Sequence, residues 1–205
     1  NDHRLFNISI ANKLTKGFIR NNHDVVNFSY RDFNNKFFLR NDNALNEKVF
    51  NITQNYRPDL VLLGHNNILS TKTIEKIKSN YKTKIVLWYE DHLIKGGPNY
   101  INNLNLIEKN NDLIDQYFLT TFPDSIHTKI QKNKLNYMPI PADKNIENLE
   151  IYNSNNRYKD LFFALSHGVN YGKLKPNNID EIETFLNQLM QKNKKLTFNI
   201  LGYAS

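Results

Sequence analysis

The residues of this chain that could do chemistry gather in three short stretches. The first is Trp88-Tyr89-Glu90-Asp91-His92, which sets two carboxylates and an imidazole in consecutive positions. Side chains of these types take and return protons during a reaction, so Asp91, Glu90 and His92 are candidates for general acid–base catalysis. They also have a plainer use, in which Asp91 or Glu90 caps the following segment and His92 sits in water. The second stretch is Gly64-His65-Asn66-Asn67. Gly64 suits a close turn, and His65 and Asn66 can hydrogen-bond a ligand's hydroxyl groups; the plainer use is an ordinary turn. The third runs from Ser166 to Lys175, Ser-His-Gly-Val-Asn-Tyr-Gly-Lys-Leu-Lys. Here Ser166, Gly168 and Asn170 can present backbone N–H groups to an anion, with Lys173 or Lys175 facing a diphosphate. The stretch lacks the Gly-x-x-x-x-Gly-Lys-Ser/Thr spacing of a P-loop.

Other chemistries find little support. There are no cysteines, which removes disulfides, thiolate zinc sites and cysteine nucleophiles together and fits a reducing compartment. The six histidines are dispersed, and Glu90, Asp91 and His92 are adjacent rather than convergent, so no metal is expected. No Gly-x-Ser-x-Gly elbow is present to start a serine triad.

The elements that must position these stretches alternate. Phe6, Ile10, Leu14 and Phe18 predict a helix from about 5 to 22, followed by a strand over 25–30. Leu45, Val49, Ile52 and Tyr56 predict a helix over 44–56, stopped by Arg57-Pro58. Leu60-Val61-Leu62-Leu63 is an unalternated apolar run, the pattern of a strand covered on both faces. Ser70 caps a helix carrying Ile74 and Ile77, and strands follow at 84–89, 117–121 and 135–140. A helix is predicted with Pro98 in its first turn, and a short one is opened by Pro123. After a polar, Asn-rich stretch, a strand at 161–165, a helix at 179–192 and a strand at 196–201 make a fresh start. The pattern predicts an α/β protein with a doubly wound parallel sheet over 1–142, a linker over 143–157, and the first β-α-β of a second domain over 158–205.

No run approaches the length of a membrane span and no signal peptide opens the chain, which points to a cytoplasmic protein. The net charge of +7 comes from scattered lysines rather than a patch with interleaved aromatics. Nucleic acid is therefore a poor partner, while an anionic membrane surface, such as the inner membrane face, or a phosphorylated substrate suits the charge better.

Three segments carry a resemblance. Gly17-Phe18-Ile19-Arg20-Asn21-Asn22-His23-Asp24-Val25, Arg57-Pro58-Asp59-Leu60-Val61, and Asp160-Leu161-Phe162-Phe163-Ala164 with Ser166-His167-Gly168 resemble GT-B-type glycosyltransferases, in particular the bacterial spore-coat (CgeB-like) and group 1 kinds. In that family two Rossmann-like domains face each other across a cleft. The resemblance implies an acceptor-side first domain lacking its opening strand and a shortened donor-side second domain. It also implies transfer of a sugar from a nucleotide-sugar, without a metal or other cofactor, to a hydroxyl of a glycan or lipid-linked acceptor. One of Asp91, Glu90 or His92 would be the base, His65 and Asn66 would lie on the acceptor side, and Ser166, Gly168, Asn170, Lys173 and Lys175 would hold the donor diphosphate. With the donor half cut short, the chain alone is expected to be inactive. The alternative from another class is a non-catalytic flavodoxin-like or receiver-like interaction module. A receiver needs an acidic cluster after its first strand and a lysine after its fifth, and neither is evident.

Overall fold

In the computed structural model the described residues are 9–30, 33, 42–64, 69–97, 99–145, 147, 159–165 and 181–202. They divide into two compact units, Asn1–Asn148 and Leu149–Ser205.

The first unit is a parallel sheet with helices. Helix α1 (Ile10–Arg20) starts where Ser9 accepts a hydrogen bond from the Asn12 N–H, an N-cap, and stops at Asn21, followed by Asn22 in the left-handed region at φ 61°. Helix α2 (Asp42–Tyr56) ends on Arg57, also left-handed at φ 50°, with Pro58 next to bar any continuation. Strand β1 (Leu60–Gly64) leads to helix α3 (Thr71–Asn80), where the Ser70 hydroxyl accepts from the Thr73 N–H at 3.1 Å. Asn46 of α2 accepts from the Ser70 N–H at 2.9 Å, joining two helices at one cap. Strand β2 (Lys84–Tyr89), helix α4 (Tyr100–Glu108), strand β3 (Gln116–Leu119) and strand β4 (Leu135–Tyr137) complete the unit.

The sheet order is β1-β2-β3-β4, all neighbours parallel. The register aligns Leu63 with Leu87, Leu87 with Tyr117, and Tyr117 with Leu135. Side chains in register share a face. Ile85, Leu87 and Tyr89 on β2, with Tyr117 and Leu119 on β3, therefore form one apolar layer, closed by Ile74 and Ile77 of α3 and Ile107 of α4. Val86 and Trp88 are buried on the other face, which is why β2 reads as an unbroken apolar run. At the amino end of β2, Asp115 Oδ2 accepts from the Ile85 N–H at 2.8 Å and from Lys78 Nζ at 2.9 Å, while the Asp115 N–H donates to the Ile85 carbonyl at 2.8 Å.

The strand expected over 25–30 is not one. Residues 23–29 carry no strand, and among the described residues none pairs with them. Val26 is about half exposed there. An apolar stretch becomes a strand only when a neighbour satisfies its N–H and C=O groups, and the four-strand ladder lies elsewhere. The helix expected after Pro123 is a single 3₁₀ turn, Pro123–Ser125, and β4 closes at Tyr137, short of residue 140.

Asp143, at the end of the segment leaving β4, returns to α1. Its carboxylate is buried and accepts from Arg20 at 3.0 Å, with Lys16 Nζ at 3.9 Å, and Glu147 pairs with Lys13. Residues 143 and 147, expected in a linker, are thus tied to α1.

The second unit is a strand–helix–strand. Strand β5 (Leu161–Leu165) and strand β6 (Phe198–Gly202) are parallel neighbours, with Leu161 opposite Phe198, and helix α5 (Glu181–Lys192) lies between them in sequence. Asp160 locks their start, accepting from the Thr197 N–H at 2.8 Å and the Thr197 hydroxyl at 2.9 Å.

Candidate functional site

Loops after the strands of a parallel sheet leave on one edge, and the loop after β2 carries Glu90, Asp91 and His92. Its main chain is held from three sides. The Thr120 N–H donates to the Tyr89 carbonyl at 3.2 Å, extending the ladder past β3. The Thr120 hydroxyl donates to the Glu90 carbonyl at 2.8 Å, and the Leu93 N–H donates to the Thr121 hydroxyl at 3.3 Å. Asn103 of α4 donates to the His92 carbonyl at 3.1 Å. Leu93 is fully buried and anchors the loop in the core. The backbone of 90–93 is therefore fixed, while the side chains of Asp91 and His92 stand exposed and that of Glu90 is half-buried.

Tyr89 adds a group that composition could not reveal. Its ring is buried in the apolar layer, yet its phenol donates a hydrogen bond to the Asp91 carboxylate. Burial first, then the charge of Asp91, this hydrogen bond, and the charge of Glu90 all push the phenol's pKa up. Tyr89 thus stays neutral through the physiological range beside the Asp91 carboxylate.

His92 is placed by a glycine. A Cβ on Gly97 would overlap the Nδ1 and Cε1 positions of the His92 ring, so the imidazole lies against the Gly97 backbone. The turn that brings Gly97 there is closed by its N–H donating to the Ile94 carbonyl at 3.0 Å, with Gly96 at φ 88°.

Neither carboxylate caps α4. That helix begins at Tyr100 with Asn99 at its N-cap, so the capping use of Glu90 or Asp91 does not apply to it. Among the described residues no group of three or more His, Asp or Glu side chains could hold a metal ion. No helix among them is long and apolar enough to cross a membrane.

The remaining expected residues lie outside the described residues: His65 and Asn66 after β1, and Ser166, Gly168, Asn170, Lys173 and Lys175 after β5. Thr120, Thr121, Asn103, Tyr89 and Gly97 were missed by sequence reasoning. The Thr120-Thr121 pair directly after β3 was the only signal in the sequence that could have found part of this set.

A shallow depression lined by Lys78, Tyr81, Lys82, Thr83, Lys84 and Asp115 lies at the amino end of β2, the opposite end from the 90–92 loop. Its carboxylate is already committed to Lys78 and Ile85, so it serves the sheet. No protein-family model matches this chain, and no curated protein is similar to it.

Proposed function

We propose that this chain carries the acceptor side of a GT-B-type glycosyltransferase, with Asp91 as the base that takes the acceptor's proton. The observation that carries this reading is Asp91 itself: an exposed carboxylate just past the carboxyl end of the buried strand β2, beside the Tyr89 phenol, on a backbone pinned by Thr120, Thr121 and Asn103. A general base needs a steady backbone and access to substrate, and the pinned loop with its exposed carboxylate supports that role.

In the proposed reaction the acceptor hydroxyl oxygen bonds to the anomeric carbon of the nucleotide-sugar. The bond from that carbon to the diphosphate breaks, its electron pair leaves with the nucleoside diphosphate, and the hydroxyl proton passes to Asp91. A direct displacement of this kind inverts the anomeric centre. On this reading Glu90 and His92, which flank the base in sequence, bond neighbouring hydroxyls, and His65 and Asn66 serve the acceptor. Ser166, Gly168, Asn170, Lys173 and Lys175 belong on this reading to the donor side, since backbone N–H groups and cations suit a diphosphate's charge.

The parallel sheet of the first unit and the parallel β-α-β of the second support the reading at the level of architecture, which many chemistries share. The test is a panel of uridine-, guanosine- and thymidine-diphosphate sugars, incubated with a full-length parent of this chain and simple glycosides, with nucleoside diphosphate release followed over time. Release that depends on both sugar and acceptor is expected for at least one pair. Phosphoryl transfer from the nucleotide instead, without a new glycosidic bond, would overturn the reading.

A further inference from the structure

The segment after β3 presents an aromatic pair beside the 90–92 loop. Phe122 and Tyr137 stack nearly parallel, with ring centroids 4.2 Å apart and an interplanar angle of 7°. Both are open to solvent, Phe122 at 62% and Tyr137 at 46% exposure. Single exposed apolar residues are ordinary, but an ordered, stacked pair at a sheet's carboxyl edge is a feature that binding sites use.

The backbone leaves this pair little freedom. Tyr137 lies opposite Leu119 in the parallel register, and the Met138 N–H donates to the Leu119 carbonyl at 2.8 Å. Phe122 follows three residues later. It precedes Pro123, which holds it extended at φ −58°, ψ 128°, and its carbonyl accepts from the Ser125 N–H at 3.0 Å. The two residues just before it, Thr120 and Thr121, are those that grip Glu90 and Leu93. One frame therefore carries both the aromatic pair and the carboxylates. β2 and β4 are two strand spacings apart, about 10 Å, so Tyr137 sits at a glycan's reach from Asp91.

We infer that Phe122 and Tyr137 form a platform on which a sugar ring of the acceptor stacks, one or more sugars away from the hydroxyl that reacts. A pyranose offers a face of C–H groups and a rim of hydroxyls. The outer faces of the stack match the first, and the Glu90 and Asp91 carboxylates match the second. An anionic membrane fits this edge less well, because Glu90 and Asp91 lie on it and Asp124, beside Phe122, is almost fully exposed.

The inference rests on the transferase reading for the word acceptor, but its test needs neither donor nor turnover. Saturation-transfer NMR with cellobiose, maltose and N,N′-diacetylchitobiose at millimolar concentration reads binding directly. Signal is expected to concentrate on the protons of one ring face for at least one of these. Phe122→Ala and Tyr137→Ala should each weaken binding about tenfold, the scale of truncating an aromatic anchor, while Phe122→Trp keeps it. Phe162→Ala, an equally exposed phenylalanine of the second unit, should change nothing. Because Phe122 is exposed, unchanged Trp88 fluorescence will confirm that the variants fold. No transfer from any of the three saccharides, or equal transfer in Phe122→Ala, overturns the platform. So does Phe122-dependent binding to phosphatidylglycerol vesicles without saccharide binding. If saccharide binding depends on Phe122 but no sugar transfer is found, the platform stands and the transferase reading falls.

Discussion

Asp115→Ala asks whether one carboxylate fixes how β2 sits against its neighbours, and so how the 90–92 loop leaves the sheet. The change removes the acceptor of the Ile85 N–H at 2.8 Å and the partner of Lys78 at 2.9 Å, with Lys84 at 3.7 Å as a second cation. Ile85 is 1% exposed, so its N–H is left inside the protein rather than returned to water, at about 1–3 kcal/mol. Lys78 keeps the Leu113 carbonyl at 3.0 Å and is partly solvated, so the lost ion pair adds at most about 1 kcal/mol. A total of about 1–4 kcal/mol lowers Tm by about 2–16 °C for a chain of this size. Asp115→Asn keeps an acceptor for Ile85 and loses only the charge, so it should cost roughly half as much. Wild type and Asp115→Asn also separate by pH. Burial alone would raise the Asp115 pKa, but the Ile85 N–H, Lys78 and Lys84 outweigh it and hold the carboxyl below its ordinary value. A depressed folded pKa gives stability that is complete above the unfolded value, about 3.9, and is lost as pH falls through the folded one. The gap between wild type and Asp115→Asn is therefore flat from neutral pH down to about pH 5 and closes in stronger acid. Denaturant unfolding followed by Trp88 suits the measurement, because it is the sole tryptophan, is 4% exposed and lies on β2 itself. A loss below about 0.5 kcal/mol for the alanine variant, or a gap that widens in acid, refutes the reasoning.

Three further outcomes follow from the same contacts. Tyr89→Phe keeps the buried ring and deletes the phenol's bond to Asp91; since Asp91 can take up water, the stability cost is about 1 kcal/mol by denaturant titration. Any transfer activity should fall about tenfold in kcat with KM unchanged, whereas a Tyr89 that merely fills space would leave both alone. Gly97→Ala should swing the His92 ring aside, seen as a shift of its Cε1 proton resonance, with stability within about 0.5 kcal/mol of wild type. Asp143 is held ionised by the Asn145 N–H, against the opposing effect of burial, and by Arg20 and Lys16. Protection factors in α1 should consequently fall as pH drops below about 4, and Arg20→Ala should produce the same loss of protection at neutral pH.

Much of the frame was legible because its signals are local. The unalternated runs at 60–63 and 85–88 announced parallel strands, of which β2 is buried and β1 only half-buried, Ser70 announced its helix, and Arg57-Pro58 announced a stop. The 25–30 stretch misled because apolar content cannot show whether a ladder partner exists. The 123–130 stretch misled because Ile126 and Ile130 fill the core from an irregular path after a single 3₁₀ turn, at the spacing a helix would use. At the site, Glu90, Asp91 and His92 were visible as residue types, but what fixes them was not. Thr120, Thr121 and Asn103 reach the loop from 28 to 30 residues away, or from 11, through a register that no local pattern encodes. The Phe122–Tyr137 stack depends on that same register.

The central claim is that Asp91 is a base, and its most direct measurement is the turnover of Asp91→Asn against wild type, both in a full-length parent, at saturating donor and acceptor. Asparagine keeps the shape and an oxygen for the Tyr89 phenol while removing the group that accepts the proton. Turnover is predicted to fall by about a hundredfold or more, the usual scale for losing a general base, with donor affinity by calorimetry unchanged. Turnover within a few-fold of wild type would contradict the claim and remove Asp91 from the chemistry.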